Sequence, residues 1–327
     1  MKISPHDSPA LLVAILGPTA SGKSALGVHI AERWGGEVLA CDSTQVYRGF
    51  DIGTAKPDDN ERRGVPHHLL DLADPRETFT AGEYRRRAEI ALSLLRARGR
   101  LPVVTVGTGL YFRVLIEGLS DAPQRSEELR QRLEMSASEH GTIHLHRVLK
   151  RMDPAAALRI APRDQQKLMR AIEVCLLAGK AITEVHRKGK DPLKGFVPLR
   201  IGLNPPRAAL YRRIEERVHR MIKRGWAREA ENLIASGAPA DAKPFEFIGY
   251  RQLRGHLEGK LSLEAAIAAI TQATRHYAKR QLTWFRREPD VTWVEGFGDE
   301  PETIDLTDRL LAKATERPLP AISGKPI

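Results

Sequence analysis

Apolar residues fall in short unbroken runs over the first third of the chain and at helical spacing over most of the rest. Leu11 to Leu16 is an unbroken apolar run, the pattern of a strand buried on both faces. It leads into a glycine turn and then into ALGVHIAERW, which has a helical period. A second strand is predicted from Glu37 to Cys41, ending at Asp42. The stretch TQVYRGFDIGTAKPDDNERRGVPHHLLDL is rich in turn residues and reads as a long loop with short elements. Helical spacing returns in TAGEYRRRAEIALSLLRARGR, where Thr80 can cap, Ala88, Leu92 and Leu95 share a face, and Gly99 stops the helix. Val103 to Val106 gives another short strand before a second glycine turn. Alternating strands and helices with apolar strands predict an α/β fold around a parallel sheet.

From about Pro123 the pattern changes to helix after helix, broken at Gly141, Pro154, Pro162 and Gly179. A strand from Val197 to Leu203 returns to the sheet. Next comes a helix whose Leu210, Ile214, Val218 and Met221 fall on one face, and Gly225 separates it from its successor. A glycine-containing turn, FEFIGYRQLRGHLEG, precedes a long helix that ends at TWFRRE. The closing ERPLPAISGKPI has the composition of a disordered tail.

The turn after the first strand spells G-x-x-x-x-G-K-S from Gly17 to Ser24, in the strand-then-helix context that a phosphate-binding loop requires. Gly17 and Gly22 let backbone N–H groups of Pro18's neighbours, Thr19, Ala20 and Ser21, turn toward phosphate oxygens at a helix N-terminus. Lys23 adds a full charge, and Ser24 can place its hydroxyl on Mg²⁺. A di- or triphosphate ligand is expected.

Charge sharpens this picture. Residues 1–158 carry 21 basic and 20 acidic side chains, 159–290 carry 27 and 14, and 291–327 carry 4 and 7. The middle segment's excess of +13 therefore outweighs the whole chain's net +11. A small anion does not need that excess, whereas a polyanion does; a solubility surface is the plainer alternative. Two cysteines form no disulfide framework or metal motif. The N-terminus is polar, and no apolar run is long enough to span a bilayer. A cytoplasmic, membrane-free monomer is expected.

Asp42 follows the second strand at the sheet edge where open α/β folds bind ligands. A carboxylate there can take a proton from a nucleophile, or can simply cap the next turn with Ser43. Gln45 carries an amide that suits an adenine edge, and a solvated glutamine is the alternative. ATPases and GTPases of this loop type usually hold Mg²⁺ with a second strand-end acid. Here VVTV runs into Gly107-Thr108-Gly109, so hydrolysis is not the obvious chemistry. His67, His68, His144 and His146 lack a surrounding ligand cluster and read as structural or surface residues. The long helix mixes His276, Tyr277, Lys279, Arg280, Trp284, Phe285, Arg286 and Arg287. That mixture suits nucleic acid, and equally suits a helix with one buried aromatic face and one solvated basic face.

GPTASGKS, CDSTQVYRGFDIGTAKP, PHHLLD, GTGLYFRVL, RDQQKLMRAIEV, IEERVHRMI and FIGYRQL occur in this order. Together they closely resemble the tRNA dimethylallyltransferases, from about residue 11 to residue 290. The resemblance implies transfer of a dimethylallyl group from its diphosphate to the exocyclic N6 amine of the tRNA adenosine 3′ to the anticodon. It implies a P-loop NTPase-like parallel sheet core with an inserted, mostly helical domain and a channel through the core. On that basis residues 1–122 are the first part of the core and 123–195 the tRNA-facing insertion. Residues 196–315 are the return strand and C-terminal helices, and 316–327 the tail.

The resemblance also assigns roles. Asp42 becomes the general base, Thr19 a contact to the bridging oxygen, and Lys23, Ser24 and Arg217 the groups that serve the diphosphate and its Mg²⁺. Asp42, Ser43, Thr44, Gln45 and Thr108 would face the anticodon stem-loop. So would Gln166, Lys167 and Arg170, and so would Phe247, Gly249, Tyr250, Arg251 and Gln252. Val106, Val114 and Lys167 depart from the family's usual glycine, alanine and arginine; lysine cannot make arginine's bidentate fork. Competing readings are a prenyltransferase for free adenine nucleotides, a P-loop kinase, and a non-catalytic RNA-binding protein.

Overall fold

The computed structural model describes residues 8–187, 189–239 and 242–316. In chain order the first part holds β1 (Ala10–Leu16), α1 (Lys23–Trp34), β2 (Gly36–Cys41), α2 (Asp59–Arg62), β3 (His67–His68), α3 (Ala81–Ala97), β4 (Leu101–Val106) and α4 (Gly109–Glu117). Five further helices follow: α5 (Glu127–His140), α6 (Thr142–Met152), α7 (Pro154–Arg159), α8 (Gln165–Ala178) and α9 (Ile182–Arg187). The chain then returns through β5 (Phe196–Asn204), α10 (Arg207–Lys223), α11 (Trp226–Ala235), α12 (Tyr250–Leu257), α13 (Leu263–Phe285), β6 (Val291–Glu295) and α14 (Pro301–Glu316).

Two compact units result, residues 1–115 with 193–327, and residues 116–192. In the first, six strands form one sheet in the order β3-β2-β4-β1-β5-β6, every neighbouring pair parallel. The apolar runs explain the inner strands, since Leu12 to Leu16 are all fully buried. Side chains of this kind contribute roughly 1.5–3 kcal/mol each when removed from water. Register sets the functional edge: Val106 pairs with Leu16 on one side and with Cys41 on the other. Three strands therefore end level, and Gly17, Asp42 and Gly107 emerge side by side at the carboxyl edge.

Thr80 caps α3 by accepting from the Glu83 N–H at 3.2 Å. The predicted faces of α3 and α10 are the buried ones. Beyond residue 290 the structure adds a strand to the expected helices. β6 is short and pairs only with β5, and Val294 is its one buried residue. An edge strand half open to solvent leaves too few apolar positions for an evident pattern.

The second unit is helical and has its own core, built on Leu145, Leu149, Leu168, Met169 and Ile172. Glu173 is fully buried in it, gripped by Arg130 at 3.1 Å and Arg170 at 2.6 Å. Burial works to raise its carboxyl, but the two guanidinium hydrogen bonds outweigh that and hold it below the ordinary range. Residues 317–327, nearly all of the tail expected to be disordered, lie outside the described residues. Among the described residues no helix is long and apolar enough to cross a membrane.

Candidate active site

The glycine turn wraps as its sequence requires. Gly22 has φ 88° and begins α1, and Ala20, at the apex, is also left-handed with φ 65°. A side chain at Gly22 would be strained in that region and would meet Asp299 Oδ1 at 2.7 Å. Lys23 folds back over the loop, its Nζ donating to Gly17 O at 2.9 Å and Pro18 O at 2.8 Å. Burial and the Arg217 charge push this ammonium down to about 7, against the pull of Asp42.

Asp42 stands across the sheet edge from this loop. Its Oδ1 accepts from the Thr44 N–H at 2.8 Å and the Thr44 hydroxyl at 2.7 Å. The carboxylate lies directly against Gly107, where an added Cβ would come within 2.1 Å of Oδ2. Glycine at 107 thus makes room for the acid.

Helix α13 braces both turns. Gln281 accepts from the Thr19 N–H at 2.7 Å through Oε1 and donates to Gly107 O at 2.7 Å through Nε2. Tyr277, one turn earlier, donates to the same carbonyl at 3.1 Å. Burial, and then the Asp42 charge, push the Tyr277 hydroxyl well up, so it remains a neutral donor. Gln281 was not marked by any motif; the only signal is its spacing of four from Tyr277.

Helix α10 supplies the opposite charge. Arg213, Arg217, Arg220 and Arg224 recur at helical spacing and all line one cavity of about 1030 Å³. Thr19 to Ser24, Asp42, Gln45, Tyr277 and Gln281 line it too. Arg217 Nη1 donates to Thr19 Oγ1 at 3.4 Å. Burial lowers the Arg217 guanidinium from its usual range, but it still carries its charge. Gly17 and Pro18 stay behind this wall.

The remaining predicted residues divide. Ser43 and Thr108 pair beside Asp42, the Ser43 N–H donating to Thr108 Oγ1 at 2.9 Å. Gln45 is fixed by donating to Thr54 O at 3.1 Å and Ala55 O at 3.0 Å. Tyr250, expected to face RNA, points inward here. It is fully buried, and its hydroxyl donates to Glu229 Oε1 at 2.6 Å. Glu229 also accepts from the backbone N–H groups of Asp51, Ile52 and Gly53, so the pair anchors the loop that carries Gln45's partners. Gly249 is buried against Trp226 and Gln252 accepts from its N–H, whereas Arg251 is exposed and Phe247 half-buried. In the helical unit Gln166 and Lys167 are exposed, Lys167 pairing with Asp164 at 2.5 Å, while Arg170 is held by Glu173 and Pro123 O. Val106 and Val114 are buried, away from the cavity lining.

The family model described as IPP transferase matches residues 45–288, well over half of the chain. The chain belongs to the IPP transferase family. The tRNA dimethylallyltransferase of Koribacter versatilis is 53% identical over 301 residues, 91% of this chain and 96% of that one. That of Solibacter usitatus is 48% identical over 92% of this chain and 98% of its own length. Among solved structures, the full-length tRNA isopentenylpyrophosphate transferase of Bacillus halodurans has a TM-score of 0.70 at 38% identity, covering 94% of this chain and 97% of that one. A eukaryotic dimethylallyltransferase, seen in crystallographic snapshots acting on tRNA, has a TM-score of 0.81 at 26% identity over 95% and 81%. The IPP transferase match ends before β6, so the segment around Asp299 is not part of it.

Proposed function

We propose that this IPP transferase transfers the dimethylallyl group of dimethylallyl diphosphate to the exocyclic N6 amine of the tRNA adenosine 3′ to the anticodon, releasing diphosphate. The observation that carries this reading is the meeting of the phosphate loop, Asp42 and Arg217 around one cavity. Its size is at the upper end of small-molecule sites, enough for a prenyl diphosphate and a base together.

The chemistry follows from the side chains. The amine of adenine is a poor nucleophile because its lone pair is delocalised into the ring. As the N6–carbon bond forms, the carbon–oxygen bond to diphosphate breaks, and the amine proton passes to Asp42. Thr44 fixes the carboxylate and Gly107 leaves it space. On the other side, charge builds on the leaving oxygen. Loop N–H groups, Thr19, Lys23 and Arg217 stabilise it, a class of effect worth about 3 kcal/mol per well-placed donor. With both reactants seated in the cavity, water is kept from capturing the allylic carbon.

Magnesium fits the donor set. Ser24 presents an exposed hydroxyl on the cavity wall, and no group of three or more His, Cys, Asp or Glu among the described residues offers a separate metal site. A hard cation held by Ser24, diphosphate oxygens and water suits that wall. When bound, it supplies charge neutralisation on the leaving group.

The adenosine must leave its stack, at a cost of about a few kcal/mol. Exposed cations of the segment carrying 27 basic and 14 acidic residues offset it by gripping the anticodon stem-loop. Ser43, Gln45, Thr108, Phe247, Arg251, Gln166, Lys167 and Arg170 are the contacts we assign to tRNA, which the enzyme meets in the cytoplasm as a monomer. The test is incubation of bulk tRNA with dimethylallyl diphosphate and Mg²⁺, without ATP, followed by nucleoside mass spectrometry. N6-dimethylallyladenosine is expected; no modified nucleoside together with RNA-dependent ATP hydrolysis would refute the reading.

A further inference from the structure

Three consecutive residues past β6 each touch the phosphate loop or its neighbouring arginine. Phe297 is buried with Leu210, Ile214 and Ala278, and Ala20 at the loop apex packs on that cluster. The Gly298 N–H donates to Ser21 O at 2.8 Å. Asp299 lies against Gly22 and grips Arg213 with both oxygens, at 2.6 Å and 2.7 Å. The Phe297 ring lies under that guanidinium, 4.0 Å from its centroid. Downstream, α14 is tied to α1, because Asp308 accepts from Trp34 Nε1 at 2.8 Å and pairs with Arg33 at 3.1 Å. The strap is therefore anchored at both ends.

Arg213 stands one helical turn before Arg217 and lines the same cavity. Asp299 takes one N–H from each terminal nitrogen of Arg213, and the guanidinium, fixed on the Phe297 ring, keeps its other N–H groups for a second anionic partner in the cavity it lines. A diphosphate in the loop supplies such oxygens while Asp299 keeps its hold. We infer that Arg213 is a further diphosphate-recognition residue, presented to the phosphate loop by the strap Phe297-Gly298-Asp299. The inference rests on the diphosphate reading of that loop given above.

Calorimetric titration with inorganic diphosphate and Mg²⁺ tests it, with tRNA affinity and thermal melting as controls. Arg213→Gln should weaken diphosphate binding at least about tenfold, and Arg213→Lys should lose less, keeping the charge without the fork. The double variant Arg213→Gln/Asp299→Asn should remain as weak as Arg213→Gln, with tRNA affinity unmoved throughout. Recovery of wild-type affinity in the double variant would overturn the assignment, since Arg213 would then only neutralise Asp299. Undiminished binding by Arg213→Gln, or a matching loss of tRNA affinity, would overturn it as well. A wild-type protein that binds no inorganic diphosphate contradicts the diphosphate reading itself, a separate and recognisable failure.

Discussion

The cavity has two walls of different origin. One is the loop from Gly17 to Ser24, contiguous in sequence, whose contribution is backbone geometry: left-handed turns, N–H groups and a helix N-terminus. The other is assembled from α10, α13 and the strap, far away along the chain, and contributes Arg213, Arg217, Tyr277 and Gln281. The contrast teaches that a short motif can specify the shape of a phosphate site while its charge balance depends on tertiary structure. Asp42 and Gly107 belong to the seam, where two strand ends meet in register.

The comparison can be broken from either side. Lys23→Ala should weaken diphosphate binding about a hundredfold, by removing a charged donor from the loop wall, and leave tRNA affinity unchanged in filter binding. Gly107→Ala should instead act on the seam. Its Cβ would sit 2.1 Å from Asp42 Oδ2, so turnover should fall by up to about a hundredfold through misplaced geometry, with both affinities kept.

A pH titration reads the coupling between the walls. Lys23 is pushed down to about 7 by burial and by Arg217, and the diphosphate favours its protonated form. Affinity should therefore be highest below pH 7 and fall by up to about tenfold per pH unit above it, measured calorimetrically with inorganic diphosphate; Lys23→Ala should flatten the profile. Gln281→Leu is the mildest variant and the only one expected to move both sides. It orphans the Thr19 N–H, so stability should drop by about 1–3 kcal/mol in thermal melts, with few-fold losses in turnover and diphosphate affinity.

How much of this could be read beforehand follows the same division. The loop, the strand ending at Asp42, the Gly107 turn and the apolar face of α10 are local patterns, and each lies where the sequence predicts it. Arg217 needed the family resemblance, because helical spacing marks the α10 arginines without saying what they face. Asp299 carries no local signal and Gln281 only its spacing from Tyr277, since their meaning arises only when α13 and the strap fold back onto the glycine turns. The inward turn of Tyr250 is hidden from the sequence for the same reason. Its neighbour Arg251 is exposed, and only the packing of Glu229 against residues 51–53 explains why the tyrosine turns inward.

The central claim is that Asp42 takes the proton while the walls on either side hold the reactants. The most direct measurement is the single-turnover rate of Asp42→Asn with saturating tRNA and dimethylallyl diphosphate, alongside both dissociation constants. The account predicts a rate reduced by at least about a hundredfold, with both dissociation constants close to wild type. A variant that transfers the prenyl group at the wild-type rate, or that loses activity only because it no longer binds one of the reactants, would contradict it.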